Sequence, residues 1–183
     1  MEFRFDEAKT VQAAVHMVRQ SEGTLNYLKL MKLLYFTDRE ALLKWGRPVT
    51  GATYFSMKHG PVLSEVYDLI KSPQERDLWS KHLGKTEKKE VVLICDVEPD
   101  DLSDAEINLI DDIVSKFRDY DEWRTVDFAH TMPEWKHPAP ATRSPISIEE
   151  ILLAGGKNES EIADIKADVK HLNHVQARYR LGL

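Results

Sequence analysis

Between Asp6 and Arg19 apolar residues recur at Ala8, Val11, Val15 and Val18, the spacing of one face of an α-helix, and Gly23 closes the segment. Tyr27 to Trp45 is apolar around most of its circumference, the pattern of a helix packed from several sides, and Gly46 stops it. Ala52 to Met57 (ATYFSM) is rich in aromatic residues and threonine and predicts a short strand. Pro61 is read as opening a helix that runs through Leu69, because proline has no amide hydrogen to leave unpaired in a first turn.

Three Ser-x-x-Glu capping boxes follow, each pairing a serine oxygen and a glutamate with amide hydrogens that a helix start leaves free. Ser72 to Glu75 predicts a short helix to about His82, Ser103 to Glu106 a longer one carrying Ile107, Ile110, Val114 and Phe117, and Ser147 to Glu150 one that ends at Gly155-Gly156. A second strand is expected over Val91 to Asp96, beside the first, since two short strands do not stand alone. Trp123 to Thr131 reads as a helix ended by Pro133, and Lys136 to Pro145, with three prolines, as an extended connector. A last helix from Glu159 to Tyr179 carries the stripe Ile162, Ile165, Val169 and Leu172. The expected fold is α+β and mostly helical: one compact domain over 1–183, with a central apolar helix, a small two- or three-stranded β element, and residues 146–183 as a C-terminal helical extension.

At 183 residues with 42% hydrophobic content the chain is long enough for one buried core. Its net charge of −6 argues against nucleic acid as a partner, since a phosphate backbone must be neutralised. Cys95, the one cysteine, follows the apolar run Val91 to Ile94 and reads as a buried, inert thiol; an internal disulfide or Cys-rich zinc site is excluded. Neither a signal-like N-terminus nor an apolar run of membrane-spanning length occurs, so a cytoplasmic location without membrane contact is expected.

Plotted at about 100° per residue, the central helix puts Lys29, Lys32, Arg39, Glu40 and Lys44 on one arc, with Phe36 among them, and Asp38 within the opposite apolar arc. An aromatic residue among charges is either covered by the chain or offered to a partner. A carboxylate on an apolar face needs partners, and so does His130, which shares a face with Trp123 and Val126. Asp38 and His130 are therefore expected to meet, as a structural pair or an acid–base dyad. No nucleophile elbow, phosphate-cradling glycine loop or Cys–His pairing accompanies them. The His171-Leu172-Asn173-His174 run lacks a third ligand and reads as a solvated helix face rather than a metal site. No catalytic, cofactor-binding or metal residue is assigned.

The segment Lys29 to Tyr67 resembles the signature of the Panacea domain, also called the SocA-like domain, known from bacterial toxin–antitoxin loci and prophages. The matching pieces are Lys32-Leu33-Leu34-Tyr35-Phe36, Asp38-Arg39, Gly46-Arg47-Pro48, Thr50-Gly51, Lys58-His59-Gly60-Pro61-Val62, Glu65-Val66-Tyr67, and later Ala129-His130 with Trp135. The likeness fades from Ala154 onward. Composition, periodicity and spacing do not say what the protein does; the resemblance implies an antitoxin that neutralises a cognate toxin by direct binding, with no cofactor. An adaptor delivering the bound toxin to a ClpXP-type protease is one alternative, and a small hydrolase using Asp38 and His130 another. In the motif Lys58-His59-Gly60-Pro61, glycine and proline have a complete structural explanation, while Lys58 and His59 are candidates for presentation to a partner. Ile162, Ile165 and Val169 in the last helix, then Phe36, are the first candidates for toxin contact.

Overall fold

The computed structural model describes residues 1–74 and 77–181. Helix α1 spans Glu7–Gln20, capped by the Asp6 side chain, and strand β1 covers Thr24–Asn26. Helix α2, Tyr27–Trp45, follows at once, capped by Asn26 and ended by Gly46 in the left-handed conformation at φ 68°, which glycine adopts without a Cβ penalty. It is the central helix its sequence predicts: it packs against α1, the strand that begins at Gly60 and several later helices, and Leu30 to Asp38 are all buried.

Strands β2 (Tyr54–Met57) and β3 (Gly60–Leu63) form a hairpin. Pro61 therefore does not open a helix. It lies in an edge strand, opposite Ser56, where its missing amide hydrogen costs no ladder bond, and helix α3 begins three residues later, at Ser64–Lys71. The third strand of this sheet, β6 (Arg143–Ile146), pairs with the other side of β2. The proline-rich connector thus ends as a paired strand, again with its proline on a sheet edge.

Strand Val91 to Asp96 also finds a different partner. As β5 (Glu90–Leu93) it is the middle of a separate sheet, between β1 and β4 (Leu83–Lys85). A tight turn over Thr86 to Lys89 makes β4–β5 a local hairpin, and β1, more than sixty residues upstream, pairs with the other side of β5. Ile94 and Cys95 lie beyond the strand, and Cys95 is exposed rather than buried. The short helix α4 is Leu78–His82, with Asp77 at its N-cap position; Ser72 instead terminates α3, and Glu75 lies outside the described residues. Helices α5 (Asp104–Lys116) and α7 (Ile148–Ala154) form both remaining capping boxes as read, α6 is Glu122–His130, and α8 is Glu159–Leu181. The fold is mostly helical α+β, its β content divided between two three-stranded antiparallel sheets. Among the described residues no helix is long and apolar enough to cross a membrane.

Candidate functional site

The charged arc of α2 is largely covered. Helices α5 and α6 pack over it, so that Phe36 is 2% exposed, stacked on Phe117 at 4.8 Å and edge-on to Phe128 at 5.5 Å. Phe36 is a core residue and not a docking residue. Ile162 and Val169 are likewise buried and Ile165 packs against the core; on that stripe only Leu172 is open, at 50%.

Asp38 is fully buried and both its oxygens are occupied. Oδ1 accepts from the backbone amides of Val49 and Thr50, each at 2.9 Å, and Oδ2 from the hydroxyls of Tyr54 at 2.9 Å and of Thr50. Burial pushes its pKa up to about 6, against the lowering effect of these four donors, so it is a carboxylate at neutral pH. What it holds is the loop from Gly46 into β2. In that loop Gly51 has φ 68°, and a Cβ there would lie 2.2 Å from the Arg4 carbonyl oxygen. The expected meeting of Asp38 with His130 does not occur as a hydrogen bond. His130 stacks on Trp135 with ring centroids 3.9 Å apart, and its Nε2 is buried without a partner. Its pKa is lowered, by burial first and then by the charge of Lys32.

Tyr35 and Arg39 serve a residue that sequence reasoning missed. The hydroxyl of Tyr35 and Nε of Arg39 both donate to Oε1 of Glu134 at 2.7 Å, and Glu134 is 4% exposed. This clamp ties the segment after α6 to the central helix, and Trp135 beside it donates its indole N–H to the Met57 carbonyl at 3.0 Å. Glu134 next to a proline carries no periodic signal; only its distant partners reveal it.

Lys32 is not part of a solvated arc either. It is 0% exposed, and its Nζ donates to the Pro61 carbonyl oxygen at 2.7 Å. Burial alone lowers its pKa to about 7. The glycine of the hairpin makes this possible: Gly60 has φ 93°, and a Cβ there would come within 3.0 Å of Lys32 Cε and 3.3 Å of the Ala129 Cβ. Phe36, one turn along from Lys32, is the sign in the sequence that this part of the arc is covered. Pieces of the signature separated by nearly a hundred residues thus converge on one hairpin: Lys32 from α2, Lys58 to Pro61 in the turn, Ala129 and His130 from α6, and Trp135.

Beside this hairpin lies a half-open cavity of ≈ 620 Å³, within the range of ligand-binding clefts. Lys32 and the apolar side chains of Tyr27, Met31, Met57 and Val62 line it, together with Lys58, His59, Tyr67 and Lys71 and, from the connector, His137, Pro138, Ala141 and Thr142. Lys58 and His59 are exposed, as a role in presentation requires. The pKa of His59 is lowered, by burial first and then by Lys58 and Lys32. Lysine Nζ near neutrality can release a proton, but among the described residues no carboxylate lines this cavity to work with it. Among the described residues no cluster of His, Cys, Asp or Glu is arranged to hold a metal ion; His171 and His174 are simply exposed on α8.

No curated protein and no solved structure gives a match to the chain. The family model described as antitoxin SocA-like, Panacea domain matches residues 30–136, which include every signature residue gathered around the hairpin and the Asp38 loop, and the chain belongs to that family.

Proposed function

We propose that this protein is the antitoxin of a bacterial or prophage toxin–antitoxin module and neutralises its cognate toxin by forming a stoichiometric complex, without turnover. The observation that carries the reading is family membership over residues 30–136, since an antitoxin-like family implies a protein partner. The placement of the signature supports it. Asp38, Tyr35, Arg39 and Gly60 are used for internal bonds and close packing, while Lys58 and His59 stand at the surface beside a cavity. The hydrolase alternative loses its proposed dyad, because both oxygens of Asp38 are taken up by the loop that follows α2.

The test is co-expression with the product of the adjacent gene. Rescue of growth should track the ratio of the two proteins, the two should co-purify, and the toxin's lifetime should be unchanged by loss of the host's ClpXP-type protease. Protection at a small fraction of the toxin's concentration, with no complex recovered, would refute binding as the mechanism. A toxin lifetime that falls only when the protease is present would replace neutralisation by contact with delivery for degradation.

A further inference from the structure

The cavity by the β2–β3 hairpin differs in charge from the rest of the molecule. The chain carries a net charge of −6, yet among the described residues the cavity's charged lining is Lys32, Lys58 and Lys71, with no Asp or Glu. Among the described ion pairs none engages any of these three lysines. Lys71 sits over the rings of Tyr27 and Tyr67, at 5.2 and 5.6 Å from their centroids, and so holds its ammonium group at the rim. Lys32 has three N–H donors and one hydrogen-bond acceptor, the Pro61 carbonyl. A buried ammonium without a carboxylate is costly to keep, and the fold keeps it by leaving Gly60 without a side chain in its path.

We propose that this cavity receives an acidic side chain of the protein partner, flanked by apolar residues, with the carboxylate between the exposed Lys58 and Lys71 and the apolar neighbours against Tyr27, Met57 and Tyr67. The inference rests on the antitoxin reading and names the chemistry of the segment that docks. The charge complementarity selects an anion, and the apolar walls select one carried on a hydrophobic stretch. A peptide is favoured over a free small acid because the aromatic surface continues outside the cavity. Trp123, 53% exposed, stands edge-on to His59 at 5.6 Å, next to the hairpin, as an anchor of the kind that protein interfaces use.

Two measurements test it. In the first, the complex with the adjacent gene's product is titrated with wild type, the double variant Lys58→Glu with Lys71→Glu, and Leu153→Glu, an exposed site on α7. Affinity should fall at least tenfold for the double variant and stay within twofold for Leu153→Glu. Wild-type affinity with Lys58 and Lys71 reversed overturns the inference while leaving the antitoxin reading intact. In the second, the ¹⁵N-labelled protein is titrated with the blocked peptide acetyl-Leu-Phe-Glu-Leu-amide and with its Gln counterpart. Shifts at Lys58, His59 and Val62 that are at least fivefold weaker with Gln support the site; equal shifts, or none with the Glu peptide, overturn it. A cavity that takes the Glu peptide in a protein that does not bind its neighbour's product would sink the antitoxin reading alone.

Discussion

Replacing Lys32 by methionine should stabilise the protein at neutral pH and cease to do so in alkali. Methionine approximates the length of the lysine stem, so the packing against Gly60 and Ala129 is largely kept. The lysine is fully buried and its pKa falls from 10.5 to about 7, which at about 1.36 kcal/mol per pKa unit corresponds to roughly 5 kcal/mol between the two protonation states. A lowered folded-state pKa means that the stability of the wild type is fully present above 10.5 and is lost as pH falls towards 7. At pH 7 roughly 4 kcal/mol of that penalty is in force. Against it, the methionine side chain would leave the Pro61 carbonyl without its donor, at about 1–3 kcal/mol. The net expectation is a variant about 1–3 kcal/mol more stable than wild type at pH 7, with the advantage gone by about pH 10. Urea denaturation followed by tryptophan fluorescence at pH 6, 7, 8.5 and 10 reads both numbers. A difference that does not change with pH, or a variant less stable than wild type at pH 7, would refute the argument that the ammonium is carried at a cost.

Asp38→Asn should be mild and pH-dependent: an amide can keep its oxygen on the Val49 and Thr50 amides while the Thr50 and Tyr54 hydroxyls turn to accept. The folded-state pKa is raised, to about 6, so wild-type stability present below 3.8 is lost as pH rises through 6, and the cost of the Asn variant relative to wild type should shrink by roughly 2 kcal/mol between pH 4 and 7 in denaturant titrations; no change across that range would contradict the burial penalty. Gly60→Val places a β-branched residue at φ 93° against Lys32 and Ala129 and should cost about 2–4 kcal/mol in the same assay; an unchanged melting temperature with lost neutralisation would move Gly60 to the binding surface. Glu134→Ala strips Tyr35 and Arg39 of their shared acceptor and should cost about 3–5 kcal/mol, whereas a loss under about 1 kcal/mol would show that the clamp does not tie the 131–136 segment to α2.

Helix boundaries were largely legible in the sequence, because the signals that set them are local. The stretch Tyr27 to Trp45 with Gly46 after it, and the capping boxes at Ser103 and Ser147, lie within a few residues of the bonds they form. The signature itself was legible too, and with it the family. Strand partners were not: β5 pairs with the distant β1 and the adjacent β4 and not with β2, a choice made by packing faces that short segments do not declare. Ser72, serine of a well-formed capping pattern, ends a helix because the tertiary path turns there. The burial of Lys32 and Phe36, the exposure of Cys95 and the acceptor role of Glu134 were decided by what other elements lay over them. A helical plot assigns residues to faces, but a face becomes core or surface only when α5, α6 and the β2–β3 hairpin close against it. Desolvation, which lowers Lys32 and raises Asp38, exists only in that closed arrangement, and it is what turns a signature of ordinary residues into a charged cavity.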